Sequence, residues 1–221
     1  MSFSAEVKEE LEKIMPQARH CRLAELSAIV EFGCHIEETN GEIRITIHSE
    51  NDAVARKYFT LWKKTFNIGT DVAKALQALK FTGDNAGAGK GADPVLIKSS
   101  CCKRAYLRGA FLCIGSMSNP EKGYHLEFVC ETDRQALQIQ EAIHSFDIEA
   151  KVVRRKKYDV VYLKEGAGIV DLLNVMGAHV SLMNLENLRI EKEMRNSINR
   201  QVNCETANIT KTVNAASRQL E

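Results

Sequence analysis

The segment LRGAFLCIGSMSNPEKGYHLEF, residues 107–128, decides the fold. Its first ten residues have the pattern of a helix in which a small residue, Gly109, stands two places after a leucine. Small residues let two helices approach closely. Residues 126–130, LEFVC, follow the period of two that a half-buried strand shows. The segment therefore predicts a closely packed helix followed by a strand.

An earlier copy of this pattern lies in the first half of the chain. The copies are offset by 81 residues, because Leu26 stands against Leu107 and Ala28 against Gly109. The matched segments are LSAIV at 26–30 and LRGAF at 107–111, IRITIH at 43–48 and LEFVC at 126–130, acid-led helix starts at 50–52 and 131–133, and helix ends at 66–68 and 146–148, where the offset has slipped by one residue to 80. We expect each repeat to run helix, strand, helix, strand, strand, with the first helices paired about a pseudo-two-fold axis.

Four parts of the chain follow from this alignment. They are an N-terminal helix at residues 1–19, a first repeat at 20–98, a second repeat at 99–179 and a helical segment at 180–221. Ser4 is expected to cap the N-terminal helix. In the second repeat we place a strand pair at residues 150–155 and 158–164, joined by a tight turn, and a further helix at 166–177.

Composition excludes several classes of protein. With 44% apolar residues and a formal net charge of +1, the 221-residue chain can bury a core but has no global charge for nucleic acid or membranes. No run approaches the ~20 apolar residues of a membrane span, and none resembles a signal peptide. Seven cysteines without C-x-x-C spacing favour reduced thiols in the cytosol. We expect no metal, cofactor or membrane partner, and Cys101 and Cys102 as small core residues.

A glycine-rich stretch, GDNAGAGKGAD at residues 83–93, does not fit a phosphate-binding loop. Asp84 stands where that loop needs Gly, and Gly91 stands where it needs Ser or Thr. We expect a flexible loop between two strands, with PVLIK at residues 94–98 extended.

Histidines are also interpreted as ordinary structure. His35, His48 and His125 have neither the i, i+4 spacing nor the cysteine pair that indicates a metal site. A Cys–His nucleophile stays open, because proximity in the fold is not visible in the sequence.

Several segments resemble known families. LRGAFLCIGS is similar to the LAGLIDADG helix of homing endonucleases, and LSAIVEFGCH is a weaker match. Four blocks, MSFSAEVKEELEKI, ARHCRLAEL, LRGAFLCIGSMSNPEKGYHLEF and NRQVNCETANITKTVNAA, together resemble the WhiA sporulation and cell-division regulators of Gram-positive bacteria. The resemblance implies an α+β, pseudo-two-fold duplicated LAGLIDADG homing-endonuclease-like fold with a β-sheet saddle, followed by C-terminal helices.

The same resemblance implies a helix-turn-helix domain after the saddle. Residues 180–221 show no two short helices around a Gly turn, so we expect this domain to be absent and the segment to be a linker toward it. Asparagine has low helix propensity. Breaks in the linker and specific hydrogen bonds are therefore expected at Asn196, Asn199, Arg200 and Asn203.

The motif positions for catalysis lack their acids. In the nuclease, the acid before the closing Gly of each motif helix holds divalent metals, and the matching positions here are Gly33 and Ile114. Glu31 lies two residues earlier on another helical face, and Leu112 takes the equivalent place in the second copy. The resemblance therefore implies no enzymatic activity.

Basic residues cluster in the predicted hairpin. Residues 150–164 carry six basic side chains against one acid, and residues 131–149 carry five acids against one arginine. Candidates for DNA contact are Arg44, His48, Lys151, Arg154, Arg155, Lys156, Lys157, Asn199 and Arg200. An ordinary solvated hairpin is the alternative, in which lysines keep an edge strand soluble.

Two functions remain open. In the first, the chain is the catalytically inactive part of a DNA-binding transcription regulator of sporulation, cell division and chromosome segregation, a cytoplasmic, nucleoid-associated monomer that binds double-stranded DNA and regulatory proteins. In the second, it is a protein-interaction scaffold without DNA contact. A residual nuclease is the third and least favoured reading.

Overall fold

The computed structural model describes residues 2–39, 42–49, 51–66, 70–81 and 91–220. Its helices are α1 (Phe3–Lys13), α2 (Arg19–Gly33), α3 (Asp52–Thr65), α4 (Val72–Ala78), α5 (Ser100–Ile114), α6 (Asp133–His144), α7 (Gly166–Met176) and α8 (His179–Leu220). Its strands are β1 (Cys34–Thr39), β2 (Glu42–Ile47), β3 (Gly115–Met117), β4 (Leu126–Cys130), β5 (Lys151–Arg155) and β6 (Tyr158–Leu163). The chain divides into two units, Met1–Leu182 and Met183–Glu221.

Helix α1 begins earlier than predicted. Ser2 is its N-cap, because the Ser2 hydroxyl accepts a hydrogen bond from the Ala5 N–H at 3.2 Å. Ser4 lies inside the first turn, and its hydroxyl accepts from the Met117 N–H at 3.3 Å. The cap predicted at Ser4 is therefore wrong, since that side chain joins α1 to β3 instead.

Helices α2 and α5 pack together at the centre of the first unit. Residues 24–31 of α2 and 105–112 of α5 are all buried, and these two stretches are offset by the same 81 residues as the repeats. A Cβ atom at Gly109 would lie 2.6 Å from the Glu25 carbonyl oxygen and 2.9 Å from the Ala28 Cβ. The close helix pair predicted from Ala28 and Gly109 is confirmed, because the contact leaves no room for a second methyl group.

A buried ionic cluster crosses this helix pair. Glu25 on α2 is fully buried and pairs with Lys57 Nζ of α3 at 3.0 Å and with Arg108 Nη1 of α5 at 3.0 Å. Burial raises the pKa of Glu25 while the two cations oppose that rise, and burial lowers the pKa of Lys57. Each charge depends on the others, because an unpaired buried ion is costly.

Backbone carbonyls complete the cluster. Arg108 Nε donates to the Met176 carbonyl at 2.8 Å, at the end of α7. Lys57 Nζ donates to three carbonyls around the end of α1, those of Leu11, Glu12 and Ile14. One carboxylate therefore organises five helices of the first unit.

The second repeat has an antiparallel sheet of strand order β3-β4-β6-β5. Leu126, Phe128 and Val161 are buried on the face that packs against the helices. The predicted hairpin and the helix after it are confirmed, with Lys156 at φ 55° in the turn and Gly177 ending α7 at φ 95°. Only the short strand β3, which directly follows α5, was not predicted.

In its described residues, the first repeat differs from the predicted order. Its sheet contains β1 and β2, and the predicted strand pair is replaced by α4, whose N-cap Asp71 accepts from the Ala73 N–H at 3.0 Å. PVLIK forms a turn, because the Asp93 carboxylate accepts from the Val95 N–H at 2.8 Å, so the extended prediction is wrong. Residues 83–90 of the glycine-rich stretch, Glu50, and the predicted helix end at 67–68 lie outside the described residues.

Helix α8 is one uninterrupted helix of 42 residues. Its start is capped by Glu10, whose carboxylate accepts from the Val180 N–H at 2.7 Å and from the Ser181 N–H at 2.9 Å. The expected breaks are therefore absent along its described length. Each asparagine costs less than ~0.7 kcal/mol relative to alanine, which a long helix rich in Glu, Lys and Arg can offset.

Candidate nucleic-acid interface

The outer face of the second sheet is the candidate interface. Strand alternation places Glu127, Tyr162 and Lys151 in one row across β4, β6 and β5. Tyr158 and Arg155 stand opposite each other in a second row of the same face, next to the turn. Between these rows, Val129, Val160 and Val153 form an apolar row in which Val160 is buried. This face therefore carries cations and tyrosine rings on either side of a valine row.

The arginines of β5 point to opposite faces. Arg154 lies opposite Asp159 on the helix-facing side and forms an ion pair with it. Arg155 lies on the outer face and pairs with Glu127 at 3.1 Å, a carboxylate that His125 Nε2 also contacts at 2.9 Å. A count of charges along the sequence does not show that Glu127 partly neutralises Arg155. The period of two along β5 was enough to predict that Arg154 and Arg155 lie on opposite faces.

The lysines around the turn remain on the surface. Lys151, Lys156 and Lys157 are exposed, and Lys157 Nζ lies 5.0 Å from the centre of the Tyr158 ring. Contact between a cation and a ring holds the lysine near the outer face without neutralising its charge.

The first sheet exposes a mixed polar face. Arg44, Thr46 and His48 share the exposed side of β2, as the alternation predicts. Across the ladder, Arg44 is opposite Glu37 and Thr46 is opposite His35, and His35 Nε2 lies 3.3 Å from a Glu37 oxygen. The first repeat therefore has less net positive charge on its strands than the second.

A cleft of about 420 Å³ lies where α2 and α5 end. Gly33 and Ile114, the two motif positions, both line it. The polar groups around them are Glu31, Cys34, His35, His48, Glu131, Gln135 and Tyr158. The cleft is where the resemblance places the metals of a nuclease, but both motif positions present groups that cannot bind a cation.

Glu31, the retained acid, takes part in structural hydrogen bonds. It is 5% exposed, and its Oε1 accepts from Gln135 Nε2 at 2.7 Å and from the Gly91 N–H at 2.9 Å. Gln135 is held in turn by the capping box of α6, where its Oε1 accepts from the Thr132 N–H at 3.4 Å, and the same oxygen also accepts from the Glu131 N–H at 3.0 Å. The carboxylate therefore ties the first repeat to the second.

Asn199 and Arg200 lie on α8 in the second unit, where both are exposed. Asn196 and Asn203 are exposed as well. Two threonines nearby bond to the helix backbone: the hydroxyls of Thr206 and Thr210 each donate to the carbonyl four residues earlier, at 2.9 Å. The specific asparagine contacts stay a prediction.

The cysteines predicted as small core residues divide into two kinds. Cys102 is 4% exposed, but Cys101 is exposed in the first turn of α5, so the interpretation is wrong for Cys101. Burial raises the pKa of the Cys102 thiol, and it raises the pKa of nearby Cys21 to about 12. None of the helices in the part of the chain that the structure describes is long and apolar enough to cross a membrane.

Two solved structures share this architecture. The crystal structure of full-length DUF199/WhiA from Thermatoga maritima gives a TM-score of 0.76 over 99% of this chain and 77% of that chain, at 21% identity. The crystal structure of the N-terminal LAGLIDADG domain of DUF199/WhiA gives 0.59 over 80% of this chain and 92% of that chain, also at 21% identity. The fold is therefore that of a LAGLIDADG-like protein.

Sequence comparisons give the family. Models of the WhiA N-terminal LAGLIDADG-like domain, the WhiA LAGLIDADG-like domain and the WhiA C-terminal HTH domain match residues 19–78, 103–195 and 198–221. The probable cell division protein WhiA of Lachnoclostridium phytofermentans is 52% identical, across 100% of this chain and 79% of the relative. That of Thermoanaerobacter pseudethanolicus is 45% identical, across 100% and 78%. The chain belongs to the WhiA family.

The match at residues 198–221 corrects one expectation. We expected the helix-turn-helix domain to be absent, but its family model covers the last part of α8. The prediction required two short helices around a turn, whereas the segment that matches the helix-turn-helix domain begins within one continuous helix. The boundaries predicted for the other three parts stay predictions.

Proposed function

We propose that this protein is a regulator that binds double-stranded DNA without cutting it and acts in sporulation, cell division and chromosome segregation, in the cytoplasm on the nucleoid. The observation that carries the proposal is the match of the helix-turn-helix model to residues 198–221. The cell-division role rests on the printed names of the relatives.

Asn199 and Arg200 are proposed to contribute to DNA binding. Both are exposed on α8 within the residues that the helix-turn-helix model matches. Replacing each with alanine should weaken binding about 2- to 10-fold, the effect of losing a hydrogen bond of about 0.5–1.5 kcal/mol. The measurement is a titration of labelled duplex at fixed salt, with the exposed neighbour Gln201→Ala as control. Unchanged affinity in both variants, with an unchanged melting temperature, would remove these residues from the interface.

The outer face of the second sheet is proposed as an auxiliary contact with phosphates. This face or its turn carries Lys151, Arg155, Lys156 and Lys157. The exposed face of the first sheet carries Arg44 and His48. Arg154 is left out, because it faces the helices and pairs with Asp159. Phosphate contact needs cations that reach one surface together, and the four basic residues of the second sheet and its turn meet that condition because all are exposed.

Salt dependence tests the auxiliary contact. Exchanging Arg155, Lys156 and Lys157 for glutamine should flatten the slope of log affinity against log salt by up to about 2.7, from ~0.9 per lost contact. A matched control removes three exposed cations from the helical side, Lys63, Lys64 and Arg134. We expect the control slope to equal that of the unmodified protein.

An unchanged salt slope in the hairpin variant would favour the alternative function. Three strand residues and two aromatic side chains, Ile43, Ile45, Ile47, Tyr58 and Trp62, line a largely apolar groove of about 660 Å³ beside β2. Phe59 at its edge is 64% exposed. If the hairpin and control variants share one salt slope, the hairpin lysines serve solubility, and the first unit is a scaffold for another protein.

DNA cleavage is proposed to be absent. Gly33 and Ile114 supply no ligand for a cation, and Glu31 is committed to Gln135 and Gly91. Supercoiled plasmid incubated with the protein and manganese should remain unnicked. Nicking that is lost in Glu31→Gln would contradict this and make Glu31 a metal ligand.

A further inference from the structure

Four potential metal ligands meet at the other end of the central helix pair. His20 Nδ1 lies 3.1 Å from Cys102 Sγ, 3.4 Å from Cys21 Sγ and 4.0 Å from Cys101 Sγ. All four ligand atoms lie within 4.8 Å of one another. Among the described residues, this is the only group of three or more His, Cys, Asp or Glu side chains close enough to share an ion.

The pseudo-two-fold symmetry explains why they meet. Cys101 stands against His20 and Cys102 against Cys21, each 81 residues later, which is the offset of the two repeats. Each pair occupies the first turn of its central helix, α2 or α5. Residues at equivalent positions near a two-fold axis face each other, so each repeat contributes two ligands to one point.

Distances and chemistry fit a tetrahedral thiophilic ion. Zinc bonds of about 2.3 Å to sulfur and 2.0–2.1 Å to nitrogen set ligand atoms roughly 3.4–3.8 Å apart. The observed separations from His20 Nδ1 bracket that range, so small rotations of the side chains would suffice. Three thiolates and one imidazole form a set that zinc uses in structural sites.

The surroundings suit a buried metal with a route to solvent. Cys21 and Cys102 are buried against Ala24 and Ala105, while His20 and Cys101 are exposed. Neither helix has a side-chain hydrogen bond at its N-cap, which is Ala18 in α2 and Ser99 in α5. Their N-terminal dipoles therefore favour the negative charge of coordinated thiolates.

We propose that His20, Cys21, Cys101 and Cys102 bind one zinc ion that ties together the N-terminal ends of α2 and α5. With four protein ligands the site has no open position for a substrate, so its role is structural. This inference is independent of DNA binding and replaces the expectation of no metal. That expectation considered ligand spacing within one segment, whereas here each segment supplies a pair of adjacent ligands.

A disulfide is the competing use of these thiols. It would join two sulfurs and leave the third thiol and the imidazole without a role, whereas a metal uses all four groups. The two uses differ in measurable ways, because only the metal site gives a stoichiometric ion and a ligand-field spectrum.

Metal content and cobalt substitution test the proposal. Protein prepared under reducing conditions, stripped with a chelator and titrated with zinc should bind one ion per chain, with a melting temperature that rises on binding. Cobalt(II) should give the intense visible bands of a tetrahedral site and the near-ultraviolet sulfur-to-metal band. We expect Cys101→Ser with Cys102→Ser to abolish both signals, and Cys204→Ser, an exposed thiol outside the cluster, to keep them.

A milder variant guards against loss of folding. His20→Ala changes an exposed side chain, so it should fold and bind zinc at least 10-fold more weakly. The proposal fails if the reduced, folded wild-type protein binds less than one zinc ion per chain. Cobalt spectra that are the same in wild type and His20→Ala, or a disulfide among these cysteines in protein kept reduced, would also overturn it.

Discussion

The first repeat carries a two-stranded sheet in its described residues, whereas the second carries four strands, although both place the same kind of helix at the centre. Buried residues 24–31 and 105–112 correspond one to one at the shared offset. A duplicated fold is therefore most constrained where its two copies meet. Positions on the axis touch their own counterparts, as Ala28 and Gly109 do, and are buried in both copies, whereas the described sheets far from the axis differ.

Asymmetry also appears inside the helix pair. Glu25 belongs to the first repeat and Arg108 to the second, but their positions are not equivalent, since Ser27 is the counterpart of Arg108. The ion pair therefore occurs once and has no symmetric copy, because Tyr106 and Ser27 occupy the equivalent positions. It joins the repeats more specifically than apolar contact alone.

Breaking this ion pair should have the largest effect. Glu25→Ala leaves Lys57 and Arg108 buried without their carboxylate, and removal of one partner of a buried pair costs about 3–5 kcal/mol. Urea unfolding measures the loss, with Glu6→Ala on the exposed face of α1 as control. A loss below about 1 kcal/mol would show that the cations find other acceptors or reach water.

Exchanging the small residues on the axis should have an intermediate effect. Alanine at Gly109 gains about 0.8–1 kcal/mol of helix propensity, but its methyl group would lie 2.6 Å from the Glu25 carbonyl oxygen. We expect a net loss of about 1–3 kcal/mol. Gly123→Ala is the control, because nothing lies within 4 Å of its added Cβ.

A double variant sharpens this comparison. Ala28→Gly combined with Gly109→Ala removes the clash between the two Cβ atoms but keeps the clash with the carbonyl. Glycine at position 28 costs about 0.8–1 kcal/mol of helix propensity, which offsets relief of the Cβ contact, so thermal unfolding should place the double variant close to Gly109→Ala and below the wild type. Equal stability to wild type would mean that the two repeats are interchangeable at the axis.

Equivalent helix caps should give the smallest effect. Asn51 caps α3 by accepting from the Ala53 N–H, and Thr132, its counterpart 81 residues later, caps α6 in a two-way capping box. Alanine at either position should cost about 0.5–2 kcal/mol, with the larger loss at Thr132. Chemical denaturation of both variants measures this difference, and a larger loss at Asn51 would contradict it.

Periodicity and alignment of the repeats predicted the helix pair, the hairpin and α7, because each depends on local pattern or on one conserved offset. The element order predicted for the first repeat was wrong. Its α4 segment was assigned as strands by analogy with the second copy, although the Asp71 cap and the alanine content of the segment favour a helix. Aligned copies can diverge in their outer strands without changing the helices that reveal the duplication.

The candidate sites were harder to predict because they depend on which side chains meet. Alternation along β5 could have separated Arg154 from Arg155, but the partner of Arg155, Glu127, lies on another strand. The Cys–His cluster was within reach of the alignment, since both pairs stand at the shared offset. Glu31 could not be assigned, because its partner Gln135 is 104 residues away.

The burial of α2 on all sides has a consequence for synthesis on the ribosome. Residues 24–31 depend for their cover on residues 105–112, which are made 81 residues later. At roughly 5–20 residues per second, that delay lasts about 4–16 s. During that interval α3 can pack on α2, but the face of α2 that α5 covers stays exposed, so we expect chaperones that hold emerging chains to bind it until α5 appears.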